Sequence, residues 1–303
     1  MTVQSTITPA DALAAYQRVR HRLPGAGGWS GWIAAEFADV AEGFDLILFD
    51  AYGVLNVGET AIPGAAARVA ALRASGKLVA VVSNSAGYSK DHMMARWRRL
   101  GFDFTPDEVV TSRDTLLWHL AKEPPRAWGV MLNPRIDAGE IAALDPIYLQ
   151  DDPADYDRAE GFLLIGADSW TDARQSLLED ALRRHPRPVY VGNPDLVAPR
   201  EAGLTREPGW FAHRLSDASS ISPRFFGKPF PEIFELAMQR YALQIEPARV
   251  LMVGDTLHTD ILGGAQAGFA TALVTGHGGL VGLDVGRAIA DAAIAPDFVV
   301  ETI

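Results

Sequence analysis

Four short stretches of this chain set acidic, basic or hydroxyl side chains directly behind apolar runs. Asp50 opens "DAYGVL" after "FDLILF", and Ser83-Asn84-Ser85 follow "KLVAVV". Lys228 stands in "FFGKP", while Asp255, Thr256 and Asp260 follow "VLMVG". A carboxylate at the end of so apolar a run is costly to bury unless it is paired or put to use. Asp50 can serve as a nucleophile, attacking phosphorus to give an acyl-phosphate or a halide-bearing carbon to give an ester. Asp50 and Asp255 are hard oxygen ligands of the kind Mg²⁺ takes, its remaining positions going to phosphate and water. Such a cation would offset the repulsion between an anionic nucleophile and an anionic phosphate, and Lys228 would add a second positive charge. Ser83, with the backbone N–H groups at the start of the helix expected after it, forms an anion cradle. Phosphoryl transfer rests on positioning and charge neutralisation, and this inventory supplies both.

The elements that must position these groups read as alternating strands and helices. The runs at 44–50, 77–83, 250–255 and 270–275 are short and almost wholly apolar, as in strands buried on both faces of a parallel sheet. Between them lie amphipathic stretches with helix punctuation. Pro63 opens one that Gly76 closes, another ends at Gly101, and Pro231 stands where a first helical turn begins. The pattern predicts a doubly wound α/β fold, whose ligands bind beyond the carboxyl ends of the strands. The middle of the chain brings its own strands at 127–133, 161–167 and 188–193, with a helix at 172–185. The expected organisation is therefore an extension over 1–43, a core domain over 44–116 and 223–303, and an inserted α/β cap over 117–222. The extension holds Trp29 and Trp32 among Gly27, Gly28 and Gly31, and begins with a polar helix rather than a secretory signal.

Composition excludes several classes. A net charge of −11 argues against a nucleic-acid or anionic-membrane binder, whose footprint is basic. The chain has no cysteine, which removes disulfides and thiolate chemistry. No run is long and apolar enough to span a bilayer. The expectation is a cytoplasmic protein, with no nucleic-acid or membrane partner and a cap face open to homodimer formation.

Taken together, "DAYGVL", "VVSNS", "GKP" and "VGDTLHTDILGG" resemble, in order, the four motifs of the haloacid dehalogenase superfamily, over roughly residues 44 to 280. "AIPGAAARVAALRASGK", "VGNPDLVAP" and "GDTLHTDILGGAQAG" resemble its class IIA branch of pyridoxal phosphate, p-nitrophenyl phosphate and sugar phosphatases. That branch inserts a large α/β cap between its second and third motifs, where the extra unit falls here. The resemblance implies Asp50 as nucleophile and metal ligand, with the Tyr52 carbonyl and Asp255 as further Mg²⁺ ligands. It implies that Asp260 holds a metal-bound water or Lys228, and that Ser83 and Asn84 meet the phosphate. Asn193 and Asp195 of the inserted unit would face the leaving group.

One residue departs from the pattern. Phosphatases of this superfamily carry aspartate two positions after the nucleophile, where it protonates the leaving oxygen; this chain has Tyr52. "DAYG" is similar to the metal-free dehalogenases of the superfamily, which leaves an ester on Asp50 as an alternative. A binding module on a disabled scaffold is a third reading. Asp255 and Asp260 are hard to explain without a cation, so the expectation is a Mg²⁺-dependent phosphatase acting on a small phosphorylated substrate. Tyr52 and His258 are candidate proton donors in place of the aspartate. Blander roles exist for several residues: Asp255 as a helix N-cap, Asp260 as helix-start electrostatics, and Tyr52 as a space filler. His258, His277 and the glycines after it read as loop residues. Trp29, Trp32, Trp118 and Trp128 read as packing.

Overall fold

The apolar runs become parallel strands because both of their faces are covered. In a computed structural model, which describes residues 7–26, 31–200, 203–241 and 244–303, they form a seven-stranded sheet. Its order is Ile33–Ala34, Phe298–Val300, Ala270–Val274, Val250–Gly254, Leu46–Phe49, Leu78–Ser83 and Val109–Thr111, all paired in parallel. Leu46 to Phe49 are fully buried. On one face they meet Val69, Met93, Trp97 and Phe104, on the other Ile233, Phe234 and Ala237. Each such aliphatic side chain removed from water contributes on the order of 1.5–3 kcal/mol. The helices end where the punctuation predicts: Ala65–Ala74 before Gly76, Lys90–Arg99 before Gly101, and Pro231–Tyr241 from its proline.

Residues inserted after the Val109–Thr111 strand build a second parallel sheet, ordered Arg224–Phe225, Val189–Val191, Gly161–Leu164, Trp128–Met131 and Ile147–Tyr148. Helix Asp172–Arg184 covers it, with Leu178, Ala181 and Leu182 in its core. The Arg224–Phe225 strand lies two residues beyond the expected end of the insertion, and helix Ser112–Leu120 runs past its expected start at 117.

The described residues ahead of 44 are more integral than an extension. Ile33 and Ala34 form an edge strand of the main sheet, and Phe37, Val40 and Ala41 of helix Phe37–Glu42 enter its core. Those short pieces carry no periodic signal in the sequence. Trp118 and Trp128 are packing residues, whereas Trp32 is 38% exposed and Trp29 lies outside the described residues. Among the described residues no helix is long and apolar enough to cross a membrane.

Candidate active site

Parallel pairing brings the motif residues to one edge. The first-motif strand lies between Val250–Gly254 and Leu78–Ser83, so Asp50, Asp255 and Ser83 leave three neighbouring strands at the same end. The Asp50 N–H still donates to the Val253 carbonyl at 2.8 Å, which fixes the base of its side chain. Asp50, Asp255 and Asp260 each present a carboxylate oxygen within 4.8 Å of the others. Lys228 reaches between them: its Nζ is 2.5 Å from Asp50 Oδ1 and 2.7 Å from Asp260 Oδ1.

Burial sets the electrostatics of this cluster. It pushes Asp255 well above the usual carboxylate range, reinforced by the charges of Asp50 and Asp260. The Gly279 N–H at 2.7 Å and the Thr256 hydroxyl at 2.8 Å donate to Asp255 and oppose that shift. Asp260 is pushed up to about 6 by burial, with Lys228 resisting. Burial alone would lower Lys228, but Asp260 and Asp50 outweigh it and hold the ammonium above its ordinary range. One lysine thus faces three acids in a place where repulsion is poorly screened.

Lys228 is aimed by Asn84, and the Lys228–Pro229 peptide is cis. The Lys228 N–H donates to Asn84 Oδ1 at 2.7 Å, and Asn84 Nδ2 donates to the Lys228 carbonyl at 2.9 Å. The same Nδ2 donates to Asp195 Oδ1 at 2.8 Å, and the Ser112 hydroxyl donates to Asn84 Oδ1. Asn84 is therefore spent on positioning, and its expected contact with phosphate has little capacity left.

Asp50, Tyr52, Ser83, Asn84, Asn193, Asp195, Lys228 and Asp255 line one cavity, and Asp260 sits behind it against Lys228. Asp195 is pushed up to about 8 by burial, which the Asn84 bond and Lys228 only partly offset. Asn193 Oδ1 accepts the Asp195 N–H at 3.0 Å, and its Nδ2 donates to Glu207. The cradle after Ser83 differs from expectation. The next helix begins only at Lys90, and the amides of Ser89 and Lys90 donate to Asp137 and Glu140 of the inserted unit. The backbone that lines the cavity here is the loop 83–88, with Ser83 Oγ accepting the Ser85 N–H at 3.3 Å.

Tyr52 lines the cavity with its ring under the Arg96 guanidinium, 4.8 Å from the ring centroid. Arg96 is itself fully buried and bonded to Glu59 and the Gly58 carbonyl, so the aromatic ring is clamped as a cation–π partner. His258 is not among the residues lining this cavity; burial pulls its imidazole down to about 4, and it stacks on Tyr16. It is no substitute proton donor.

Three contributors escaped the sequence reading. Gly279 follows the strand Ala270–Val274, which ends at the same edge, and that position was the available signal. Glu207 and Tyr16 line the cavity from elements without motif character, and no signal marked them.

Comparison with known proteins agrees with this geometry. The model of haloacid dehalogenase-like hydrolases matches residues 47–138, reaching into the inserted unit, and a model of HAD-like hydrolases matches 225–303. Chronophin of Rattus norvegicus is 31% identical over 267 residues, 85% of this chain and 85% of its own length. Acid sugar phosphatase of Staphylococcus aureus is 27% identical over 224 residues, 74% of this chain and 83% of its own. The crystal structure of a glycerol phosphate phosphatase from Mycobacterium tuberculosis in complex with magnesium is 26% identical, with a TM-score of 0.66 over 86% of this chain and 75% of that one. The chain belongs to the haloacid dehalogenase-like hydrolases.

Proposed function

We propose that this hydrolase is a Mg²⁺-dependent phosphatase of small phosphorylated metabolites, working through an aspartyl-phosphate on Asp50. The observation that carries the reading is the cluster of Asp50, Asp255 and Asp260 within 4.8 Å, countered by the single Lys228. Three carboxylates around one ammonium leave a net negative, oxygen-rich site, and that donor set fits Mg²⁺. Asp50, Asp255 and the Tyr52 carbonyl would hold the ion, with Asp260 supporting the site from behind. Once bound, Mg²⁺ supplies positive charge against the phosphoryl oxygens and lets two anions approach.

The residues of the chain account for the remaining steps. Asp50, partly open to the cavity, presents its free carboxylate oxygen to phosphorus, forming a new P–O bond as the bond to the leaving oxygen breaks. Lys228 is held on Asp50 Oδ1 and so keeps one oxygen fixed while the other attacks. Ser83 and the loop amides of Asn84 and Ala86 offer donors to the phosphoryl group. Asp195, which keeps its proton up to about pH 8, is available as a donor on the leaving-group side where Tyr52 supplies no carboxylic acid. Water then releases phosphate and restores Asp50. Halide displacement through an Asp50 ester would leave the buried Asp255 and Asp260 beside the nucleophile without a purpose.

The test is turnover of p-nitrophenyl phosphate with Mg²⁺, with EDTA, and by the Asp50→Asn variant. Turnover lost in EDTA and in the variant supports the reading. Absent turnover with Mg²⁺ still bound sinks it in favour of a binding module, and absent Mg²⁺ binding as well favours the ester chemistry.

A further inference from the structure

Helix Pro9–Val19 stands outside every motif, yet it touches both halves of the site. It is started by Thr8 in a capping box with Asp11, and it buries Ala12, Ala15, Tyr16 and Val19. Ala15, Tyr16 and Val19 pack with Leu196, Val197 and Trp210 of the inserted unit. On its other side Leu13 joins the core cluster of Leu257 and Ile261, next to the fourth motif. The segment is tied down beyond the helix as well. Arg22 Nη1 donates to the His213 carbonyl of the cap at 3.1 Å, and Gln266 Nε2 of the core donates to the Gly25 carbonyl at 2.7 Å.

Tyr16 lies where these contacts converge. Its ring stacks on His258 with centroids 5.0 Å apart and planes 14° apart, and its hydroxyl accepts the Leu196 N–H at 3.2 Å. Leu196 directly follows Asp195, so the hydroxyl holds the loop that faces the leaving group. A ring stacked on one face and hydrogen-bonded at its tip has no free rotamer to swing into. It is 6% exposed, and with Val197 and Ala198 it lines the Asp50 cavity. That cavity measures about 60 Å³.

We infer that Tyr16 is a specificity-determining residue of this active site, closing its leaving-group side against bulky groups; the inference rests on the phosphatase reading, which assigns the leaving group to that side. The first segment of the chain thereby becomes part of the substrate pocket, and its ring weights turnover towards compact phosphate esters over bulkier ones of equal leaving-group acidity.

The test uses two inert anions, methylphosphonate and phenylphosphonate, titrated into the Mg²⁺-loaded full chain by calorimetry. Wild type should favour methylphosphonate. Tyr16→Ala should shift the affinity ratio towards phenylphosphonate by about tenfold or more, while Tyr16→Phe, which keeps the ring, leaves it within about twofold. Tyr16→Leu keeps apolar packing against Leu196 with a shorter side chain, so it should move the ratio in the same direction even where the alanine variant folds poorly. Unchanged ratios in both shortened variants would overturn the inference and leave the phosphatase reading intact. Failure of wild type to bind either anion would remove that reading and the inference with it.

Discussion

Lys228 Nζ lies 2.5 Å from Oδ1 of Asp50, on a side chain only 2% exposed. The same ammonium pairs with Asp260 at 2.7 Å, so its removal leaves two buried acids facing a third. Losing one partner of a buried ion pair typically costs about 3–5 kcal/mol. Lys228→Met should therefore unfold at lower denaturant in EDTA, with part of the loss restored by Mg²⁺, and its turnover should fall by about 10² or more. Equilibrium unfolding with and without Mg²⁺ measures the first effect, and steady-state kinetics the second.

The same cluster predicts how stability varies with pH. Asp195 and Asp260 bind protons more tightly in the folded chain than their ordinary value of 3.8, up to about 8 and about 6, and Asp255 is raised as well. Acids raised on folding stabilise the chain below the unfolded value, and that contribution is lost as pH rises through the folded value. In EDTA the melting temperature should therefore fall between about pH 4 and pH 8. Mg²⁺, which favours the ionised acids, should raise it more at pH 8 than at pH 5. Thermal scans across pH would contradict the account if Mg²⁺ stabilised equally at both.

Tyr52 bears on the leaving group. General acid assistance is typically worth ~10²–10⁴ in rate. With a clamped ring at position 52 and Asp195 as the remaining donor, phosphates with poorly acidic leaving groups should turn over more slowly than activated ones of similar size. Asp195→Asn should widen that gap, and Tyr52→Asp should narrow it, by about tenfold each. A series of esters of graded leaving-group acidity reads both changes.

Gly278 leaves room for the Asp255 carboxylate by having no side chain. Its φ is +89°, and a Cβ there would collide with the Asp255 carboxylate that Gly279 holds through its N–H. Gly278→Ala should weaken Mg²⁺ binding by about tenfold and lower stability by about 1–3 kcal/mol. Calorimetric titration with Mg²⁺ checks the first figure and chemical unfolding the second.

Much of the site was legible because strand ends are legible. Asp50, Ser83 and Asp255 follow unbroken apolar runs, and parallel pairing of those runs dictates that they meet. Lys228 and Asp260 were readable from their motifs, but their shared ion pair was not, since it depends on the 178-residue return of the chain to Asp50. Asn84 shows the limit on the side of role. Its place at a strand end suggested substrate contact, whereas three partners separated widely in sequence take up its amide. Tyr16 shows the limit on the side of position. An ordinary amphipathic helix carries no mark of the surface it covers, and only tertiary packing brings the ring to the cavity. The two-residue strand Ile33–Ala34 was hidden for a simpler reason, being too short for any alternation to register.

The central claim is that phosphorus is carried on Asp50. Borohydride added to Mg²⁺-loaded protein during turnover of p-nitrophenyl phosphate reduces an aspartyl-phosphate to homoserine, which peptide mass spectrometry locates. Homoserine at position 50, appearing only with both substrate and Mg²⁺ present, is the predicted result. Sustained turnover with Asp50 unmodified, or homoserine at another aspartate, would contradict the account.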